Sequence, residues 1–410
     1  MKNIAVIGLG NRGSEYMGFL RLFFGRKIKI NALCDRVEGK LERYGKRYKV
    51  EKAMRFSSAE DFFARGVVAD ALIIATPDRD HYAMLKTALE VGYKTILVEK
   101  PLDKDINKTI ELANLTEEKG AKVMVCHVLR YSNFYSKIKR EVESGVLGQI
   151  ISIEQRENVG YFHFAHSYVR GEWHNEAQSS PSLLAKCCHD LDLIYWFAGA
   201  NPQKLSSRGD LFYFKRENAP EGATEYCMGG CKCKKKCPYD AEAFYITDNI
   251  FNATFIRYMP NTVFKMAHPT RKQKREILAK GEYGKCVFLN DNDVCDHQEV
   301  DVVFENGIYG KLTMTAFGEK CERETRIVGT KGEIIAKKGK VKRQIYGGKR
   351  KTVHHGIFDL PGHVDGDMRT VLAFGKLVLG TLTEDKHFTY IKDTVASHQM
   401  AHLAEISRKD

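Results

Sequence analysis

Three closely spaced glycines near the start of the chain have the spacing of a phosphate-binding turn. Gly8, Gly10 and Gly13 form a G-x-G-x-x-G pattern, which follows an apolar run at residues 4–7 and precedes apolar residues at helical spacing. In such a turn the first glycine allows a tight bend, the second lets a pyrophosphate approach the backbone, and the third lets helix and strand pack closely. The start of the helix then offers free N–H groups to the phosphates. The pattern predicts a dinucleotide site.

A carboxylate follows at the distance that such a site requires, about 20 residues beyond the last glycine. It is Asp35, which ends a second apolar run at residues 28–34. A carboxylate at this position can accept hydrogen bonds from the adenosine ribose and would repel a 2′-phosphate. Arg36 comes next and could receive a 2′-phosphate. The sequence therefore predicts NAD as the cofactor, with NADP as the alternative.

Four cysteines stand close together in the middle of the chain. Cys227, Cys231, Cys233 and Cys237 follow the spacing C-x₃-C-x-C-x₃-C in a stretch rich in glycine and lysine. Thiolates can close a tetrahedral zinc site, and neighbouring lysines lower the pKa of the thiols. We predict a structural zinc ion in a loop at residues 227–237. Free or paired thiols are the alternative, and an iron–sulfur cluster is less favoured.

Apolar patterns predict the elements that position these residues. In the first part of the chain, strands at 4–7, 28–34, 69–75, 95–98 and 121–126 alternate with helices, two of which are predicted at 81–91 and 107–120. This alternation is typical of a parallel, doubly wound sheet, which binds ligands beyond the carboxyl ends of its strands. Thr76 and Pro77 follow one strand, and Glu99 and Lys100 follow the next. We therefore predict an α/β dinucleotide-binding domain at residues 1–126.

The pattern changes after residue 126. A helix is predicted at 133–144, and strands are predicted at 150–158, 251–256, 300–304, 310–316, 325–328 and 333–336. Glycine-rich punctuation between several of them indicates an antiparallel sheet. Helical spacing returns at 182–199, 366–379 and 394–407. Residues 127–410 are therefore predicted to form a second, α+β domain.

Composition limits the partners of the chain. Its 410 residues carry a net charge of +13, and the excess is concentrated at residues 232–236 and 331–351. No basic helix with interleaved aromatic residues accompanies these stretches, so we interpret them as solvated surface and expect no nucleic-acid partner. We expect no membrane span, because no apolar run reaches about 18 residues. The first strand begins too early to leave room for a signal peptide, which favours a cytoplasmic location.

Several motifs recur in an order that is known from one family. They are the glycine turn at 8–13, Thr76-Pro77, Glu99-Lys100-Pro101, Gly145-x-x-Gly148 with Ile150, and His189-Asp190-Leu191-Asp192. The chain resembles the glucose–fructose oxidoreductase / inositol dehydrogenase / MocA family over essentially its whole length. The resemblance implies a Rossmann domain followed by a sugar-binding domain on an open, mostly antiparallel sheet. It also implies hydride transfer between a nicotinamide and a hydroxyl-bearing carbon.

The resemblance also implies catalytic residues. In the family, the lysine of the Glu-Lys-Pro loop lies at the substrate beside the nicotinamide, which places Lys100 there. Lys186 and His189 are three residues apart and share one face of the predicted helix at 182–199. The family's usual aspartate, four residues before the histidine, is replaced here by Ala185. His189 is the preferred general base, and a neutral Lys186 is the alternative.

We expect two further groups of residues at the site. The predicted cofactor contacts are Gly8, Gly10, Asn11, Arg12, Gly13, Asp35, Arg36, Thr76, Pro77, Glu99 and Lys100. The predicted substrate contacts supply planar faces and fixed hydrogen-bond donors. They are His166, Tyr168, Arg170, Trp173, Asp192 and His363.

Three functions are compatible with these features. The first is an NAD-dependent oxidoreductase, expected to be a homo-oligomer, that acts on a sugar, sugar acid, cyclitol or glycoside. The second is an NAD-assisted glycoside hydrolase on the same fold, in which oxidation and return of the hydride leave no net redox change. The third, less favoured, is a nucleic-acid-binding or redox-sensing protein with a zinc-knuckle loop.

Overall fold

The structure is a computed structural model that describes residues 1–246, 263–264, 266, 269–356, 364–382 and 388–410. Two sequence predictions, the strand at 251–256 and the substrate contact His363, lie outside the described residues. Helices and strands are numbered below in chain order over the described residues.

The first sheet contains six strands in the described part of the chain, all parallel, in the order β3-β2-β1-β4-β5-β6. The strands are β1 (Lys2–Ile7), β2 (Ile28–Cys34), β3 (Arg55–Phe56), β4 (Ala71–Ile74), β5 (Thr95–Val98) and β6 (Lys122–Val125). The helices of this part are α1 (Asn11–Phe24), α2 (Glu38–Tyr48), α3 (Ala59–Ala64), α4 (His81–Glu90) and α5 (Ile106–Glu118). The predicted doubly wound parallel sheet is confirmed.

Both faces of this sheet are covered, which explains its nearly continuous apolar strands. Along β1, Ile4 and Val6 point into one apolar cluster, whereas Ala5 and Ile7 point into another. Successive side chains of a strand point to opposite faces, so each strand needs apolar residues at every position to fill both clusters.

The second sheet contains eight strands in the described residues, in the order β14-β13-β12-β11-β7-β10-β9-β8. The strands are β7 (Ile150–Gly160), β8 (Pro202–Asp210), β9 (His297–Phe304), β10 (Tyr309–Gly318), β11 (Glu322–Gly329), β12 (Gly332–Lys337), β13 (Lys340–Ile345) and β14 (Lys351–His355). Neighbouring strands are antiparallel except for β7 and β10, which are parallel. The predicted mostly antiparallel sheet is confirmed.

The remaining helices surround this sheet and close the chain. They are α6 (Asn133–Glu143), α7 (Tyr161–Phe164), α8 (Ser182–Ala198), α9 (Ala241–Tyr245), α10 (Arg271–Leu278), α11 (Val364–Val378) and α12 (Ile391–Lys409). A π-helical turn, Ala165–Val169, continues directly from α7. Helix α8 packs against β7 and β10, and α12 packs against α5, α8 and β8.

The C-terminal part of the chain returns to the cofactor domain. Val371 and Phe374 of α11 lie in the same apolar cluster as Ile4 of β1. Helix α12 contacts elements of both sheets. The division of the chain at residue 126 stays a prediction, but the segment from residue 364 onward packs on both sides of it.

Four strands were not predicted, namely β3 of the first sheet and β8, β13 and β14 of the second. The basic stretch at 331–351 lies mainly on β12, β13 and the turn before β14, at one edge of the second sheet. An edge strand that is rich in lysine resists pairing with other chains.

Candidate active site

The glycine turn has the geometry that a bound pyrophosphate requires. Gly8 has φ of +92°, which favours glycine, and a Cβ built on Gly13 would lie 2.0 Å from the carbonyl oxygen of Gly8. A Cβ on Gly10 would meet nothing within 4 Å, so this glycine faces open space at the start of α1. Gly8 and Gly13 thus close the turn, and Gly10 leaves the approach to the helix start clear. The residues present fit a dinucleotide.

Asp35 stands beside this turn. Its Oδ2 accepts a hydrogen bond of 2.7 Å from the backbone N–H of Leu9, and its Oδ1 accepts one of 2.9 Å from Val37. The ammonium of Lys40 lies 3.3 Å from Oδ2. Arg36 points into solvent and pairs with Asp80 at 3.3 Å. The carboxylate is therefore fixed against the glycine turn, where a ribose diol would lie.

Arg12 and Glu99, two predicted cofactor contacts, are engaged with the protein. Arg12 Nε donates to Glu99 Oε1 at 2.9 Å, and its Nη atoms donate to both carboxylate oxygens of Asp367 on α11 at 2.8 and 2.5 Å. Tyr16 donates to Glu99 as well. Burial opposes ionisation of Glu99, but the Arg12 charge and these hydrogen bonds hold its pKa below the usual range. These two side chains join α1 and β5 to α11, and the structure does not favour a direct contact of either with the cofactor.

The loops after β4 and β5 are held together by a histidine. The two ring nitrogens of His81 lie 2.8 Å from the carbonyl oxygen of Thr76 and 2.6 Å from that of Pro101. Pro77 and Lys100 sit next to these two carbonyl positions. The carboxyl ends of two neighbouring strands are thus fixed as one edge, where a doubly wound sheet binds ligands.

Lys100 crosses from this edge to the second domain. Its Nζ donates a hydrogen bond of 2.8 Å to the carbonyl oxygen of Ala185 on α8. Helix α8 begins after Pro181 and ends at Gly199, whose φ of +66° terminates it. The helix that carries Lys186 and His189 is therefore in contact with the strand end that carries Lys100.

Lys186 is fixed by a buried ionic network. Its Nζ lies 3.4 Å from Glu157 Oε1 on β7. Arg323 on β11 lies 2.7 Å from the other oxygen of Glu157 and 2.9 Å from Asp190 Oδ1. Burial raises the pKa of Glu157, and the charges of Arg323 and Lys186 oppose this rise. The positive charges of Lys186 and Arg323 thus balance the negative charges of Glu157 and Asp190. Lys186 lies at the edge of this network.

His163 and Cys321 join the site although the sequence analysis did not single them out. Nδ1 of His163 lies 3.5 Å from Sγ of Cys321. Burial lowers the pKa of His163 well below its ordinary value, and the nearby charges of Lys186 and Lys100 lower it further. The imidazole is therefore neutral at pH 7. Its position just after the predicted strand at 150–158 was the available signal.

His189 belongs to a row of buried histidines. Its ring centroid lies 5.8 Å from that of His127, which in turn lies 6.0 Å from that of His398. Burial and the Arg130 charge lower the pKa of His127 well below its ordinary value. Asp192 forms a bidentate pair with Arg130, with distances of 2.8 and 2.5 Å. Its carboxylate is thus already neutralised, so the structure does not favour the predicted substrate contact at Asp192.

The predicted substrate contacts at residues 166–173 lie mostly in the protein interior. His166 Nδ1 lies 2.9 Å from the Tyr245 hydroxyl. Arg170 donates hydrogen bonds of 2.7 Å to the carbonyl oxygens of Lys285 and of Tyr239. Tyr168 is buried and contacts the rings of Phe164 and Trp173. Their polar and aromatic groups support the loops around the site, and the structure does not bring them together with Lys100.

The four clustered cysteines line one small cavity together with Cys286. In the described residues, no three His, Cys, Asp or Glu side chains are arranged to hold a metal ion. Burial raises the pKa of Cys237, and burial together with the neighbouring Cys231 raises that of Cys233. The thiolate is the species that binds metal, so a bound ion would have to displace the proton of each thiol. The zinc prediction is therefore not supported.

The fold and the site together define an NAD-binding oxidoreductase. Residues 2–127 match the oxidoreductase family with an NAD-binding Rossmann fold, and residues 139–357 match the C-terminal alpha/beta domain of the same family. The chain belongs to the glucose–fructose oxidoreductase / inositol dehydrogenase / MocA family, as its motifs predicted. It is an NAD-dependent oxidoreductase.

Known relatives differ in the reactions that their names describe. The chain is 29% identical over 348 residues to the protein named "Putative oxidoreductase YteT" of Bacillus subtilis, and the match covers 82% of this chain and 76% of the relative. It is 22% identical over 209 residues to the 2,7-anhydro-N-acetylneuraminate hydratase of Escherichia coli, covering 51% of this chain and 53% of that protein. Levoglucosan dehydrogenase, solved with NADH and levoglucosan, has a TM-score of 0.69 at 14% identity and covers 100% of this chain and 97% of its own. The last likeness concerns the fold alone.

In the described part of the chain, no helix is long and apolar enough to cross a bilayer. The cytoplasmic location and the homo-oligomeric state stay predictions.

Proposed function

We propose that this protein oxidises a hydroxyl-bearing carbon of a sugar, sugar acid, cyclitol or glycoside and prefers NAD to NADP. The observation that carries the proposal is the 2.8 Å hydrogen bond from Lys100 Nζ to Ala185 of α8. It holds an ammonium group of the cofactor domain against the helix that bears Lys186 and His189. This contact supports a site that is formed from both predicted domains, in which the nicotinamide and the substrate hydroxyl would meet.

Each residue has a separate task in this proposal. Lys100, with its positive charge, stabilises the alkoxide that develops as the hydroxyl loses its proton. His189 accepts that proton. Lys186 is the alternative acceptor only after it has lost its own proton, because the structure pairs it as a cation with Glu157. His163 is a third candidate, because its lowered pKa leaves a neutral imidazole near both lysines. NAD, when bound, supplies the acceptor for the hydride.

A second function, NAD-assisted cleavage of a glycoside without net redox change, has an observation in its favour. Ala185 replaces the aspartate that the family usually places before the histidine, so the usual Asp–His pair is absent. The name of one relative, a hydratase, also supports this alternative, because it does not describe a net oxidation.

One assay distinguishes the two functions. The purified protein is incubated with NAD and a panel of free sugars, sugar acids, cyclitols and aryl glycosides, while NADH and released aglycone are followed together. The dehydrogenase produces one NADH for each substrate molecule that is oxidised. Aglycone release without accumulation of NADH would assign the second function, and inactivity on every compound would count against both.

A further inference from the structure

A large open cavity lies away from the candidate active site, on the outer face of the second sheet. Its volume is about 850 Å³, and β8, β9 and the end of β10 contribute to its lining. Along β9, Gln298 points inward, where its amide donates to Glu405 of α12 at 3.0 Å. His297 and Glu299, its neighbours on the strand, point to the opposite face and line the cavity. The predicted catalytic residues are not among the lining residues that the structure describes.

Aromatic side chains form one side of this cavity. Phe212, Tyr213, Tyr239 and Phe317 contribute to the lining. Phe212 is 70% exposed and Phe317 is 43% exposed, so two apolar rings face solvent at the same place. Exposed apolar groups that are gathered in one concave site mark a binding surface more often than scattered ones do.

The loop that presents Phe212 is held rigidly. Asp296 is fully buried, and its carboxylate accepts backbone hydrogen bonds from Phe212 at 2.9 Å, Tyr213 at 2.7 Å and Phe214 at 3.3 Å. The side-chain amide of Asn218 donates to the carbonyl oxygens of Phe212 and Tyr213 at 3.1 and 3.0 Å. A site that is fixed before binding loses less conformational entropy when a ligand arrives.

The opposite side of the cavity is polar. Arg208, Asp210, His297 and Glu299 line it. The side chains of Arg208 and His297 make no hydrogen bond or ion pair with any residue that the structure describes. Glu299 already interacts with Lys311 at 3.2 Å. Arg208 and His297 can therefore offer donors to a ligand without breaking an existing contact.

We propose that this cavity is a second carbohydrate-binding site for a saccharide of two or three pyranose units. The C–H faces of sugars stack on aromatic rings, and their hydroxyl or carboxylate groups bind to charged side chains such as arginine. The volume exceeds that needed for one ring and lies within the range of ligand sites, about 300–1,000 Å³. Arg208 favours a saccharide that carries a carboxylate. The proposal does not depend on the reaction at the active site.

A series of ring contacts connects this cavity to the candidate active site. Phe317 stacks on Phe214 at 5.9 Å, and Phe214 stacks on Phe164 at 5.8 Å. Tyr168 stacks on Phe164 at 5.1 Å and approaches His163 at 6.2 Å. Four successive ring contacts therefore link the lining of the second site to His163 of the candidate active site.

Saturation-transfer NMR and calorimetry with the full chain test the proposal. The probes are cellobiose, which is neutral, and digalacturonate, which carries carboxylates. Phe212→Ala should weaken binding of the preferred probe by about tenfold, or about 1.4 kcal/mol, because the sugar loses its stacking contact with the ring. Arg208→Gln should weaken digalacturonate binding and leave cellobiose binding unchanged. Tyr309→Ala is the matched control, since Tyr309 is 59% exposed at the opposite end of β10.

Two binding results would overturn the proposal. Failure of both probes to bind at millimolar concentration would overturn the proposal. Binding that is equal in the wild type and in Phe212→Ala would place the saccharide elsewhere and overturn it too. Sedimentation of the same variants provides a further check. A change of association state in Phe212→Ala without any effect on saccharides would make the surface a contact between copies of this chain.

Discussion

At the scale of single residues, neighbouring groups fix the positions of two charged side chains, Asp35 and Lys186. Asp35 is held by the backbone N–H groups of Leu9 and Val37, so its carboxylate has one defined position beside the glycine turn. Lys186 is held by Glu157 at the edge of a balanced network. In each case a charged group is kept in place before any ligand binds, which is how catalytic and binding groups become effective.

Cofactor choice is the first prediction at this scale. The wild type should bind NAD about tenfold or more tightly than NADP, because the Asp35 carboxylate opposes a 2′-phosphate. Asp35→Ser should reduce the difference between the two affinities, because the repelling carboxylate is removed while Arg36 can still bind a 2′-phosphate. Titration with both cofactors measures it. Asp70→Asn is the control, because Asp70 also accepts a backbone hydrogen bond, from Asn3 at 2.7 Å, far from the turn. Tighter binding of NADP by the wild type would reject the role of Asp35.

The second prediction concerns Lys186. Lys186→Met keeps the length of the side chain and removes its charge, while Glu157 keeps its partner Arg323. If Lys186 takes part in proton transfer, turnover should fall about 10²-fold with unchanged affinity for NAD. Lys86→Met serves as the control, since Lys86 pairs with Glu111 at 2.7 Å on the surface. Unchanged turnover in Lys186→Met would make this lysine a structural residue.

At the scale of elements, α12 supports the loop that carries Lys100. His398 Nε2 accepts a hydrogen bond of 3.1 Å from the backbone N–H of Leu102, and its Nδ1 lies 3.1 Å from the carbonyl oxygen of Thr394. Nδ1 therefore carries the proton and Nε2 accepts. Burial lowers the pKa of His398 from 6.5 to about 3, and the neighbouring His127 acts in the same direction. The contact between helix and loop requires a neutral ring.

This contact predicts a loss of stability in acid. The folded state keeps His398 neutral, whereas the unfolded chain protonates it below pH 6.5. Above pH 6.5, His398 is neutral in both states and does not lower the free energy of unfolding. As the pH falls from that value toward 3, protonation of the unfolded chain lowers the free energy of unfolding by up to about 1.4 kcal/mol per pH unit for this group. His398→Gln should reduce the slope of the free energy of unfolding between about pH 6.5 and pH 4.5. Urea unfolding measures that slope.

The control for this prediction is on the same helix. His402→Gln changes a less buried histidine one turn further along α12 and should leave the slope unchanged. An equal slope in the wild type and in His398→Gln would show that His398 titrates alike in both states. It would then have no part in acid sensitivity.

The apolar pattern of each strand explains whether the strand could be predicted from the sequence. The buried strands β1, β2 and β5 were found because apolar residues fill every position of a strand that is covered on both faces. Strand β8, with the sequence PQKLSSRGD, and the basic strand β13 lie at or near the edges of the second sheet and lack such a pattern. The missed strands β8 and β13 are mostly polar and therefore left no apolar run from which a strand could be predicted.

The site was predictable to the extent that its residues belong to local motifs. Lys100, Lys186 and His189 stand in recognisable stretches, and the structure brings their elements together. Glu157 and Arg323 meet only because β7 pairs with β11, a register that no local pattern reveals. Arg12, Asp192 and Arg170 have suitable chemistry, but distant parts of the chain already neutralise or bond their charges. Contacts with residues that are distant in the sequence therefore determine what these three side chains do.

In the whole molecule, the hydrogen bond from Lys100 to Ala185 joins the elements of the two predicted domains that carry the proposed catalytic residues. Lys100 ends β5 of the first sheet, and His189 lies on α8, which packs against β7 and β10 of the second. Neither domain alone contains both groups. We therefore propose that Lys100 and His189 act together on one proton transfer, which requires both predicted domains.

A double-mutant cycle on turnover tests directly whether Lys100 and His189 act on the same proton transfer. Lys100→Met and His189→Ala should each lower turnover about 10²-fold or more, with NAD affinity measured alongside as a check on folding. Groups that act on one step behave as a unit, so the double variant should be scarcely slower than the slower single variant. Losses that multiply fully in the double variant, or near-normal turnover of His189→Ala, would contradict the account.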